Sequence, residues 1–356
     1  VTFLRACSLA LCSVALVAQD PSLDSLREEG RWKQLRPRIE GWYRLKPEDP
    51  YALLWMSRMK QAFGDPEAAL ELARKAAAMK STDSTIQAQL GMAAGEAAGR
   101  ADGMMKQYSL AKEMKKALEG SLVANPSDED AAQYLLQFYL QAPGIIGGSD
   151  SKAKELAQRF TQLKPVAGLL MQAGIAFRAK DLEGGRALIQ QALAKEPRSD
   201  KAHLAMTTYH LGQKPQALDA TVACCRKVLE ANPKEIQAHA LMASILAEQG
   251  KWAELDGCLA QARRVVPDNL LPYYVAGRNL IDENKFLDKA EPLLRTYLSQ
   301  EPEGNSPDFA SVHWRLGKLF EKQGRRADAI KEIEQALTLR PKFKSAQKDL
   351  ERLKKG

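Results

Sequence analysis

The sequence predicts an all-α protein built from stacked helical hairpins. Three observations predict it. Prolines close helical stretches at Pro47, Pro126, Pro165, Pro197, Pro233, Pro267, Pro302 and Pro341, several of them at or near 34 residues apart. Apolar residues between them recur with the period of amphipathic helices. Alanine is abundant and aromatics make up only 6% of the 356 residues, a composition suited to helices packed closely through small side chains.

The first residues stand apart from this pattern. VTFLRACSLALCSVALVAQD has one cation, Arg5, then an apolar run from Ala6 to Ala18 before Gln19 and Asp20. A short cationic start followed by an apolar stretch ending in small residues has the form of a secretory leader. The run is shorter than the ~20 residues a membrane span needs. The expectation is a leader over 1–19, cleaved after Ala18 or Gln19, with an uncleaved N-terminal membrane anchor as the alternative and no later segment able to span a bilayer. The initial Val1 fits a bacterial non-ATG start. The protein is then exported, periplasmic or secreted, and the formal charge of +8 falls by one with Arg5. Cys224, Cys225 and Cys258 remain, too few for a disulfide framework.

Aligning on the prolines gives about nine copies of one unit over 20–341. The clearest is SVHWRLGKLFEKQGRRADAIKEIEQALTLRP (311–341). Leu316–Gly317 and Phe320 belong to its first helix, Gly324 to the turn, and Ala329, Ile333, Ala336 and Leu337 to its second helix. A second copy spans 236–267, with Gly250, Trp252, Leu255, Leu259 and Ala262 in matching slots. Small residues such as Ala69, Ala153 and Ala329 let paired helices approach closely. Asp65–Pro66 has the form of a helix start, Asp capping and Pro at the first helical position, and Lys214–Pro215 is expected to open a helix in the same way. The last segment, 342–356, puts Phe343, Ala346, Leu350 and Leu353 on one stripe, as a helix capping the array would, and Lys344, Lys348, Arg352, Lys354 and Lys355 on the other face, where membrane or nucleic-acid binding is the alternative reading.

These units resemble the tetratricopeptide repeat. The resemblance implies a solenoid coiled as a right-handed superhelix, with first helices lining a concave groove and second helices forming the convex back. It further implies a non-catalytic scaffold that binds a protein or peptide segment in the groove. Carried over by repeat position, the groove residues are Tyr51, Leu54, Arg58 and Gln61, then Gln133 and Gln137, then Leu170, Phe177 and neighbouring Arg178, then Lys201 and Leu204. Tyr274, Arg278, Trp314 and Lys318 complete the set. Arg58, Arg178, Lys201, Arg278 and Lys318 would donate to carboxylates, and Phe177, Tyr274 and Trp314 would supply apolar anchoring. The partner would be acidic or carry a free carboxylate. The Lys/Asn pattern of the family's carboxylate-clamp members is absent.

Two units depart from the pattern. The third, 84–126, carries about eleven extra residues, with 104–126 as a long second helix. Met104, Met105, Tyr108 and Met114 there are expected to be core filling for the longer helix, with an exposed adaptable patch as the alternative. In the fourth, 129–165, the turn QAPGIIGGSD is lengthened by about five residues. It lacks both phosphate-binding patterns, G-x-x-x-x-G-K-[ST] and G-x-G-x-x-G. Ser149-x-x-Lys152 and Ser151-x-x-Lys154 have no K-T-G or S-D-N counterpart. The turn is then a glycine-bearing connection capped by Ser149 or Asp150, or a finger in which Ile145 and Ile146 touch a partner. The Gly-Gly-Ser turn also resembles periplasmic helical-repeat accessory proteins of substrate-binding transport systems. The stretch 303–309 is the candidate hinge late in the chain.

No enzyme signature emerges. His203, His239 and His313 share one repeat position, which points to packing, and no Cys/His pair has metal spacing. No cofactor or nucleic-acid partner is expected. The competing function is binding of a small molecule or peptidoglycan fragment for a transport or envelope system. An enclosed pocket at the 141–150 loop, lined by arginines and aromatics, would favour it over the scaffold.

Overall fold

The computed structural model describes residues 21–355. The leader expected over 1–19 lies outside them. The described residues form nineteen α-helices and no strand. They divide into two compact units, with the boundary between Pro197 and Arg198.

Unit 1 holds α1 (Pro21–Glu28), α2 (Trp32–Leu45), α3 (Pro50–Ala62), α4 (Pro66–Met79), α5 (Ser84–Arg100), α6 (Met104–Ala124), α7 (Glu129–Gln141), α8 (Asp150–Leu163), α9 (Pro165–Arg178) and α10 (Leu182–Lys195). Successive helices pair, α3 with α4, α5 with α6 and α9 with α10. The helix starts follow the predicted chemistry. Asp65 accepts from the Ala68 N–H at 3.2 Å, with Pro66 at the first helical position. Asp49, Asp83 and Asp128 cap α3, α5 and α7 alike, each cap typically contributing ~1 kcal/mol. Ala69 and Ala153 are fully buried where paired helices meet.

Unit 2 holds α11 (Asp200–Gly212), α12 (Leu218–Ala231), α13 (Ile236–Glu248), α14 (Trp252–Val265), α15 (Leu271–Asp282), α16 (Leu287–Tyr297), α17 (Phe309–Lys322), α18 (Arg326–Leu339) and α19 (Lys344–Lys355). One apolar core runs from Val222 to Leu353. Gly324 turns α17 into α18 at φ +75°, a conformation that costs a side-chain-bearing residue ~1 kcal/mol or more. The final helix packs on α18, burying Ala346 and Leu353. Its basic face is partly neutralised, since Arg352 pairs with Glu321 and Asp349, and Lys354 with Glu334.

Three expectations need correction. Lys214–Pro215 does not open a helix: the Ala217 N–H donates back to the His210 carbonyl at 3.0 Å, and α12 begins only at Leu218. Met104 and Met105 are not core residues but are exposed at the start of α6, while Met114 packs inward. The 303–309 link is pinned, with Glu303 buried and the Tyr297 hydroxyl donating to the Pro307 carbonyl at 2.7 Å.

The histidines and cysteines take structural places. His239 is buried, with Nε2 3.0 Å from the Pro233 carbonyl. His313 Nδ1 stands 2.6 Å from Glu332. Among the described residues Cys224, Cys225 and Cys258 are free thiols, and burial pushes those of Cys225 and Cys258 up to about 12.

Candidate partner-binding surface

The first helices of unit 1 build its most distinctive surface. The third hairpin is longer than its neighbours, α5 having 17 residues and α6 having 21. The turn of the fourth hairpin leans against the overhang. It leaves α7 through Ala142, makes a single 3-10 turn (Gly144–Ile146) and returns to Ser149, whose hydroxyl caps α8. The Ser149 N–H closes the loop on the Tyr139 carbonyl at 2.8 Å. Gly148 sits so tightly that a Cβ there would stand 1.7 Å from the Ala142 carbonyl oxygen. Of the two isoleucines, Ile145 projects, 82% exposed, and Ile146 is buried. The two-residue finger is therefore only half realised: Ile146 anchors the loop.

Between loop, α5, α6 and α7 lies a surface cleft of about 430 Å³. Met92, Met114, Phe138 and Ile146 give it an apolar floor, and the amides of Gln61, Gln137 and Gln141 line it beside Tyr134 and Glu96. Gln61 is held by the buried Gln89, whose Nε2 donates to it at 2.8 Å and to the Ser57 hydroxyl at 3.0 Å. Glu96 is already neutralised, accepting from Arg100 at 2.8 Å. Burial, with Asp130 and Glu96 nearby, raises the Tyr134 phenol above its ordinary range. The cleft is lined by no arginine. It offers amide hydrogen bonds over an apolar floor, suited to an extended peptide or a neutral side chain.

Of the predicted groove residues, Gln61 and Gln137 meet here, with Gln133 exposed on the same helix. Arg58 is beside them on α3 but nearly enclosed, its side chain 11% exposed. Its guanidinium stacks on Trp55 at 4.7 Å and stands 3.8 Å from Asp24 of α1. Burial, reinforced by Arg27, pulls it down to about 10. Leu54 belongs to the core. The ring of Phe177 turns toward α10, where a Cβ on Gly185 would stand 2.2 Å from it, so Phe177 packs inside its hairpin. Arg178 is exposed at the end of α9.

In unit 2 the predicted set does not form one surface. Tyr274 is buried in the core against Tyr297, ring centroids 5.3 Å apart. Trp314 donates from Nε1 to Asp349 at 2.9 Å and stacks on Phe343, so the last helix takes it up. Lys318 stands 3.9 Å from the same Asp349. Arg278 is half-exposed beside Asp282, and Lys201 is exposed at the start of α11. Sequence reasoning missed Gln141, Tyr134 and Glu96. The signal available was the third unit's extra length beside the long turn.

The comparisons agree with this architecture. The tetratricopeptide-repeat family profile matches residues 310–343, the α17–α18 hairpin. The chain carries a tetratricopeptide repeat. No curated protein matches it in sequence. Among solved structures, a monomeric mutant of IFIT1 with m7Gppp-AAAA is similar at 14% identity and a TM-score of 0.50, covering 94% of this chain and 79% of that one. Yeast Tom70 is similar at 14% identity and a TM-score of 0.48, over 96% of this chain and 88% of its own. A thermophilic tetratricopeptide-repeat protein of Thermus thermophilus shares 19% identity over 64% of this chain and 98% of its own, with a TM-score of 0.38. At these identities the likeness concerns the fold alone.

Proposed function

We propose that the chain is a non-catalytic interaction scaffold of the cell envelope that holds a partner segment on the first-helix face of unit 1. Tetratricopeptide-repeat folds in general serve as protein-interaction modules. The observation that carries the location is the cleft beside the 142–149 loop, where Gln61, Gln137 and Gln141 converge over an apolar floor. Amides of this kind pair with peptide N–H and C=O groups, and the floor takes an apolar side chain. Arg58 adds the acidic preference, because an enclosed guanidinium gains most from a carboxylate. The leader-like start supports placement in the envelope. An open cleft without a lining arginine favours the scaffold over the small-ligand reading.

Photo-crosslinkers at Gln133 and Gln137, with exposed Gln158 on α8 as control, test this in envelope extract. The scaffold predicts one discrete protein adduct from the first two sites, lost when Gln61→Ala and Gln141→Ala are introduced together. Adducts equal at Gln158, or none together with a small molecule retained in native mass spectrometry, would overturn it.

A further inference from the structure

The first helix of the described residues, α1, occupies ground that a partner would use. Leu23 of α1 is buried in the core cluster that contains Trp32, Trp42 and Trp55, and Leu26 packs against it. One turn carries an acid and a base, Asp24 Oδ1 and Arg27 Nε, which stand 3.5 Å apart, and each also reaches a different helix. Asp24 Oδ1 faces Arg58 Nη1 on α3 at 3.8 Å. Arg27 Nη1 donates to Asp130 Oδ2 on α7 at 3.2 Å, 103 residues away. An acid and a base three residues apart on a helix project from the same side. The receiving groups, Arg58 and Asp130, belong to two different first helices of the face that holds the cleft, and Tyr134, one turn beyond Asp130 on α7, is close enough to feel Arg27.

The fit is loose where it counts most. At 3.8 Å the Asp24–Arg58 contact is an ion pair without a hydrogen bond. Among the described residues Arg58 is held by this ion pair and by its stack on Trp55, although a guanidinium has five N–H donors. Asp24 and Asp130 are 61% and 54% exposed. The enclosed cation is the fixed half of the site, and its resident carboxylate is the half that solvent can reach.

We propose that Arg58 and Asp130 form an exchangeable helix-docking site, that α1 is its resident occupant, and that a partner segment binds by displacing α1. The segment is a short amphipathic helix with two apolar residues on one side and an acid and a base three residues apart, matching Leu23, Asp24, Leu26 and Arg27. Charge complementarity selects it: the acid must meet Arg58 and the base Asp130. This rests on the scaffold reading and names the chemistry of its partner. Binding then requires release of an internal competitor whose effective concentration is high because it is joined to the fold by the short 29–31 connection.

A fluorescent peptide of residues 21–29, PSLDSLREE, titrated against the full chain, tests the exchange by anisotropy. The Asp24→Ala/Arg27→Ala variant, whose own α1 is weakened, is expected to bind the peptide at least ~10-fold more tightly than the unaltered chain. Adding Asp130→Arg to that variant should abolish the gain, and an Arg27→Glu peptide should restore it. Asp130 is exposed, so this swap leaves the core untouched. Should the double variant lose helicity, hydrogen exchange of α1 in the unaltered chain gives the second measurement: added peptide must speed it. Equal affinity for chain and variant, no saturable binding up to ~1 mM peptide, or indifference to the charge swap each overturn the proposal. The assay uses no outside partner, so its failure leaves the crosslinking test of the scaffold standing.

Discussion

Glu332 ties three helices of unit 2 together, and its removal gives a measurable loss. On α18 it accepts from Arg295 of α16 at 2.7 Å and from His313 of α17 at 2.6 Å, with its own side chain only 11% exposed. Burial alone would raise its pKa, but the hydrogen bonds from His313 and Arg295 outweigh burial and hold the carboxyl below the usual range. A charge-assisted hydrogen bond contributes roughly 1.5–3 kcal/mol. Arg295 is 42% exposed and keeps Glu291 at 3.6 Å, so its share belongs at the lower end. Glu332→Gln should therefore cost about 2 kcal/mol at pH 7, most of it from the His313 side. The pH dependence follows from the direction of the shift. A carboxylate with a lowered folded pKa stabilises in full above its unfolded value of ~4.3, and that contribution disappears as pH falls through the folded pKa. Urea denaturation read at α17–α18 amides by hydrogen exchange should show the deficit at pH 7 and its progressive decline as pH falls below ~4.3. A deficit of the same size at both pH values, or none at pH 7, refutes the argument.

Other perturbations follow from single contacts. Gly148→Ala forces the 142–149 loop to move, because the new methyl meets the Ala142 carbonyl; a cost of about 1–3 kcal/mol and faster exchange at Ile146 are expected. Trp314→Phe keeps the stack on Phe343 but leaves Asp349 without its indole donor; a loss of about 1–2 kcal/mol should appear as easier proteolytic removal of α19, with the rest of unit 2 intact. Thiol labelling at pH 8 should reach the half-buried Cys224 first, and Cys225 and Cys258 only as unit 2 opens, since burial holds both buried thiols protonated.

What the sequence makes legible is whatever repeats. Leu316–Gly317, Gly324 and Ala329 fall where the period puts them because every copy meets the same neighbours. The side chains it misplaces are those whose neighbours break the period. Its offset within the unit assigns Tyr274 to the groove, yet Tyr297 on the paired helix offers it a ring to pack on, and burying that surface outweighs position. Trp314 has the right offset, but α19, the second helix after its own, brings Asp349 to take its N–H. Phe177 turns inward because residue 185 is a glycine and leaves the room. The Arg27–Asp130 contact spans 103 residues, so no local pattern could announce it.

The two irregular units explain each other. At 1.5 Å per residue the 21 residues of α6 reach about 31 Å, against about 21 Å for the 14 residues of α8, so a hairpin of ordinary length beside α6 would leave a strip of it bare. The long turn of the fourth hairpin covers part of that strip: Gly147 approaches the Lys115 side chain so closely that a Cβ would stand 2.9 Å from Nζ. Ile146 then fills the angle behind it. What remains open, between Met114 and the amides of α7, is the cleft. Gly95 on α5 keeps its floor from rising, because a Cβ there would stand 2.7 Å from Met114 Sδ. Shortening the turn without shortening α6 would expose Met114 and Phe138 together, and shortening α6 without the turn would leave Ile146 nothing to rest on. Paired dependence of this kind means that the insertion and the long turn build one surface, and Arg58 with its resident helix stands at its edge.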